Sequence, residues 1–128
     1  ISLKRGLNPA AHFALGQALA PLRDEGVLFL GSGMSFHNMR AFRGMDTNPL
    51  PGGDDFDAWL KASLALEADE RKQRLLSWED PPRARFAHPR EEHLIPLLVI
   101  AGSAGTAPGR RVFHGRAMGA PLAAFAFD

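Results

Sequence analysis

The chain has 128 residues, 45% of them hydrophobic and 23% charged, the balance of a small globular domain or of part of a larger one. Lys and Arg number 15 against 14 Asp and Glu, and the net charge of +1 favours neither a nucleic-acid partner nor an anionic membrane surface. The apolar runs are too short to span a bilayer and nothing at the start reads as a secretory signal. The lack of Cys removes disulfides and thiolate metal sites, which fits a reducing cytoplasm.

In chain order, Ile1–Leu3 reads as the tail of a strand already under way, and the chain opens on Ile, not Met; a segment upstream is therefore expected. Asn8-Pro9 is a helix start, with Asn as the N-cap and Pro at a position that needs no N–H donor. Ala11, Ala14, Leu15, Ala18, Leu19 and Leu22 carry an apolar face to about Arg23, and Gly26 supplies the stop. Val27–Leu30 is a continuous apolar run between glycines, which predicts a strand buried on both faces. A helix running directly into such a strand is the rhythm of an α/β domain.

Gly31-Ser32-Gly33 closes that strand, and Phe36-His37-Asn38 follows in a turn. Thr47–Asp55, rich in Pro, Gly and Asp, is predicted loop. One long helix is predicted from Asp54 or Asp55 to about Ser77, buried through Phe56, Trp59, Leu60, Leu64, Leu75 and Leu76. Trp78–Arg90, with three prolines, is a second loop. A buried helix from about Glu92 to Ala101 comes next, then a strand near Arg111–His114 and a last strand near Ala123–Phe127.

The five histidines carry the candidate chemistry. His12 reads as a surface residue of the first helix, and His114 as a hydrogen-bonded structural residue of a strand. His37 lies just past the end of a predicted strand, where ligands collect in open α/β sheets; a histidine tying down its own loop fits the position equally well. Pro96 has no N–H for the carbonyl of Glu92, so His93 is expected in the first turn of its helix, whose positive end keeps an imidazole neutral, as a metal ligand must be. Glu91 and Glu92 beside it are alternative ligands or favourable charges at a helix start. His88 and His93 are five residues apart and do not form a local i, i+4 metal pair. A catalytic metal takes about three protein ligands, and the chain offers no convincing local set of three.

Two stretches resemble a known family. Arg23–Arg40, running through Gly31-Ser32-Gly33 into His37-Asn38-Met39-Arg40, is similar to the class III extradiol ring-cleavage dioxygenases of the catalytic, LigB type. His88-Pro89-Arg90-Glu91-Glu92-His93-Leu94-Ile95-Pro96, followed by Ala101-Gly102, resembles the second signature of that family, above all in its DOPA-dioxygenase-like branch. The resemblance implies a single α/β domain, a central sheet flanked by helices, of which residues 1–128 are the C-terminal part. Two histidine ligands then belong to an upstream half of the same domain.

By the same resemblance His93 takes the third metal position, with Glu92 as the carboxylate alternative. His37 maps onto the acid/base histidine beside the metal and is a further ligand when Zn(II) replaces Fe(II). Ser32, Asn38 and His88 are the implied substrate contacts. Fe(II) with few protein ligands leaves positions for a catechol and dioxygen, and a histidine titrating near neutrality takes up and returns the catechol proton. Phe36, Phe42, Trp59 and Trp78 are candidate walls for the aromatic ring, although core packing suits each better. A homodimer is the expected assembly. The competing readings are a binding protein on the same fold that has lost its metal, a zinc-dependent hydrolase, for which no local zinc motif is present, and a structural α/β module.

Overall fold

The computed structural model describes residues 1–42 and 48–128, so Thr47 of the predicted first loop lies outside the described residues. Helix α1 (Pro9–Leu19) begins where Asn8 and Pro9 predict, with the Asn8 side chain accepting from the Ala11 N–H at 2.9 Å, and a 3₁₀ turn continues it over Ala20–Arg23. Helices α2 (Gly53–Leu64), α3 (Ala68–Leu76), α4 (Ala84–Ala87) and α5 (Ile95–Ser103) follow. Strands β1 (Arg110–Ala117) and β2 (Ala120–Ala126) close the chain as an antiparallel hairpin. The expected mixture of helix and strand is present, the sheet among the described residues having two strands.

Helices α1 and α5 pack with their backbones close together. A Cβ on Gly16 would collide with the carbonyl of Val99, and one on Gly102 with that of Phe13, so glycine is what permits the approach. Arg23 fastens the same layer, donating to the carbonyl oxygens of Ser103 and Phe127 at 3.2 and 2.9 Å. The core runs from this contact through Phe36, Phe56, Leu60, Leu64, Leu75, Trp78, Ile95 and Leu98, all buried. Phe36 and Trp78 are thus core residues, while Phe42 and Trp59 pack partly buried against them.

Several expectations are corrected. The single long helix is two, because tertiary partners take its carbonyls where it bends: Gly109 N–H donates to Leu64 O at 2.7 Å, and the buried Arg71 donates to Leu66 O at 3.2 Å. Arg71 also reaches Ala107 O and Gly105 O at 2.8 and 2.6 Å, pinning α3 to the link after α5. The predicted second loop contains α4. Helix α5 starts at Ile95, not Glu92, which leaves His93 in the preceding turn. His12 is buried: its Nδ1–H donates to Asn8 O at 2.7 Å and its Nε2 accepts from Lys4 N–H at 3.0 Å.

The largest correction concerns Val27–Leu30. The segment is extended but joins no ladder among the described residues, and Leu28 and Leu30 are 79% and 85% exposed. Ile1–Leu3 is likewise outside any strand and exposed. The last two strands lie where predicted and are longer at their shared turn, where Met118 and Gly119 both take positive φ. Two ion pairs lay the hairpin on α2: Arg111 with Asp57 at 2.8 Å, beside His114 at 3.5 Å from the same carboxylate oxygen, and Arg116 with Asp54 at 2.7 Å. No helix among the described residues is long and apolar enough to cross a membrane.

Candidate metal centre

Residues 31–38 cross the start of α5 and meet the turn over residues 91–94. Gly33 lies so close to the His93 carbonyl that a Cβ there would collide with it, and the next residue, Met34, donates its N–H to that same oxygen at 3.0 Å. Further on, His37 N–H donates to Ala87 O at 2.9 Å. The turn 91–94 closes on itself, since Glu91 O accepts from the N–H groups of Leu94 and Ile95 at 2.8 and 3.0 Å.

These constraints stack the imidazoles of His37 and His93, with ring centroids 3.6 Å apart and planes at 28°. Glu92 completes the cluster: the three side chains each offer a ligand atom, all within 4.8 Å of one another. Glu91 is turned away, its carboxylate paired with Arg85 at 2.8 Å. Arg90 Nε stands 3.0 Å from Glu92 Oε2 as an ion pair without hydrogen-bond alignment. Burial, and then the neighbouring His93, lowers the His37 pKa below 6.5, against a smaller opposing effect of Glu92.

Two imidazoles and a carboxylate form a nitrogen and oxygen donor set that suits Fe(II) or Zn(II) better than a thiophilic ion or a hard all-oxygen cation. His37, held neutral at pH 7, has the protonation state that ligation or proton uptake requires. The residues therefore fit a divalent transition metal. Several clefts border the cluster, two of them lined by Glu92. One of about 540 Å³ is lined by Leu28, Phe29, Ser32, Glu92, His93 and Pro96 among others. The other, of about 510 Å³, is lined by His37, Asn38, Met39, Arg40, Pro89, Arg90 and Glu92.

The remaining predicted site residues divide. Ser32 is exposed on the rim of the first cleft. Asn38 borders the second cleft, and its amide is engaged by backbone groups, donating to Phe86 O of α4 at 2.7 Å and accepting from the N–H groups of Arg40 and Ala41 at 3.1 and 3.2 Å. His88 is wholly buried behind the cluster, between the ring edges of Phe56 and Trp78, and its Nε2–H donates to Ser35 O at 3.0 Å. Its pKa falls to about 4, chiefly through burial, with the Ser35 carbonyl opposing the fall and His37 and His93 adding to it. Sequence reasoning did not single out Ser35, whose Oγ accepts from Ala123 N–H at 2.8 Å and ties β2 to the loop of His37. Lying between Met34 and Phe36 in an unpatterned loop, it gave no periodic signal.

Residues 2–125 match the family described as the catalytic LigB subunit of aromatic ring-opening dioxygenase, and the chain belongs to that family. It is 35% identical over 114 residues to the 4,5-DOPA dioxygenase extradiol of Beta vulgaris, a match that covers 89% of this chain and 42% of that protein. Against the protein of the same name from Escherichia coli (strain K12) it is 35% identical over 97 residues, covering 74% and 36%. The crystal structure of an uncharacterized protein from Escherichia coli K12 superposes with a TM-score of 0.79 at 32% identity, over 91% of this chain and 48% of that one. The chain thus spans less than half the length of each of these relatives.

Proposed function

We propose that the chain carries one side of the active site of a metal-dependent extradiol dioxygenase that opens the ring of a catechol with O2. The observation that carries this reading is the meeting of His37, Glu92 and His93, with ligand atoms within 4.8 Å, inside the two stretches that resemble the family. His93 is the proposed ligand, with Glu92 as its carboxylate alternative, and Fe(II) is the proposed metal. Zn(II) is a substitute that draws in His37. A segment upstream in the same domain supplies the remaining ligands and covers Leu28 and Leu30; the short span of the chain on its relatives and the exposure of these residues support that.

When bound, Fe(II) supplies the redox chemistry with dioxygen that side chains lack. The residues of this chain do the rest. His37, neutral at pH 7, accepts the proton of a catechol hydroxyl and gives one back to the opening product. Asn38 holds the loop that presents it, and Ser32 offers a hydroxyl at the cleft rim.

The test uses the protein made from its complete coding sequence, loaded with Fe(II) without air and then given a catechol and O2. The expected product gains both oxygen atoms and absorbs in the visible, and His93→Ala loses iron and turnover together. Iron loss in Glu92→Ala with stoichiometric iron in His93→Ala moves the ligand to Glu92. Intact catechol with the iron-loaded wild type overturns the reading.

A further inference from the structure

The loop that carries His37 is held from several directions. Met34 N–H binds His93 O, His37 N–H binds Ala87 O, Asn38 Nδ2 binds Phe86 O and Ser35 Oγ accepts from Ala123 N–H. The remaining tie differs in kind, because a buried imidazole makes it: His88 Nε2–H to Ser35 O, 3.0 Å. We propose that His88 is a positioning residue: its bond to Ser35 O fixes the 35–38 turn and thereby the spacing of the His37 and His93 rings. The inference deepens the reading of the cluster as a metal centre and rests on it for its consequence on metal affinity.

Geometry supports the role. A carbonyl oxygen only accepts, so Nε2 of His88 carries the hydrogen, and burial between Phe56 and Trp78 leaves the ring little room to turn. The ring is therefore a fixed donor aimed at one oxygen, two residues before His37. His88 is fully buried and lines neither cleft. Without that donor, Ser35 O loses its partner and the turn is free to shift toward one that solvent offers. A stack of rings at 3.6 Å is sensitive to such a shift. Outer groups that orient metal ligands are typically worth about 10- to 100-fold in metal affinity.

The test compares wild type, His88→Leu, His88→Gln and His88→Asn in the protein made from its complete coding sequence. Gln places an amide N–H near the position of Nε2, whereas Asn falls short. Magnetic-resonance contacts between the His37 and His93 rings are read in the metal-free protein, and Zn(II) affinity is read by competition with a chelator. Wild type and the Gln variant are expected to show the ring contact. The Leu and Asn variants are expected to lose it and to bind Zn(II) about 10- to 100-fold more weakly. A ring contact that persists in the Leu variant overturns the proposal. Should that variant fail to fold, equal contacts in the Gln and Asn variants overturn it. A wild type lacking the contact overturns it as well. A wild type that shows the contact and binds no Zn(II) sinks the metal-centre reading, while the ring contacts still decide the role of His88.

Discussion

Burial and then the stacked ring of His93 lower the pKa of His37 and favour the neutral imidazole that proton uptake needs. Behind them His88 is neutral for a different reason, being buried among aromatic edges. Its pKa is about 4 in the fold against 6.5 for an ordinary histidine, so between these values the unfolded chain binds a proton that the folded chain refuses. Stability is fully present above pH 6.5, declines as the pH falls, and is lower by about 3 kcal/mol at pH 4 from this group alone. Denaturation of wild type and His88→Gln across that window is expected to show their difference changing by about this amount in the disfavour of wild type as the pH falls. A difference that stays constant with pH contradicts the neutral buried state. The burial of His88 was not legible in the sequence, since a loop with three prolines carries no periodicity from which an inward direction can be read.

Among the elements, what local chemistry decides was readable. Asn8-Pro9 set the start of α1, and Pro96 confined the start of α5 to its own neighbourhood. The break between α2 and α3 was not readable, because residues remote in sequence make it: Gly109 takes the carbonyl of Leu64, and Arg71 binds three carbonyls across the turn and the following link. Arg71 sits in a charged run, and only the fold turns it inward, with Phe127 5.6 Å from its guanidinium. Replacing it with Met leaves those carbonyls without their donor and is expected to cost about 1–3 kcal/mol. Chemical denaturation is the check. The Zn(II) affinity of the folded fraction should stay near wild type, because α3 supplies no residue to the cluster. A variant as stable as wild type would show that Arg71 does not hold the two helices at their angle.

At the scale of the molecule, the apolar run Val27–Leu30 has the composition of a buried strand, yet it is largely exposed and finds no partner strand among the described residues. Buried-strand composition with an exposed, unpaired backbone makes an adhesive edge. Residues 1–128 produced alone are expected to self-associate, as read by light scattering on a sizing column; a monodisperse monomer with a cooperative melt contradicts the proposed upstream cover. The candidate site was legible to the extent that its parts lie within the two matched stretches. That His37 and His93 stack and that Glu91 turns away to Arg85 depends on how the 31–38 loop crosses the start of α5, which spacing alone does not give.

The central claim is that His37 moves a proton beside a metal held by its neighbours. The most direct measurement is turnover per bound iron in His37→Ala, taken with iron content and melting temperature on one preparation of the protein made from its complete coding sequence. The variant is expected to keep its fold and its iron and to lose about two to four orders of magnitude in turnover. In wild type the rate should rise with pH through a value below 6.5, as the lowered His37 pKa requires of a base, and that limb should vanish in the variant. Near-normal turnover per bound iron, with only a lowered melting temperature, would contradict the claim and leave His37 a structural residue of its loop.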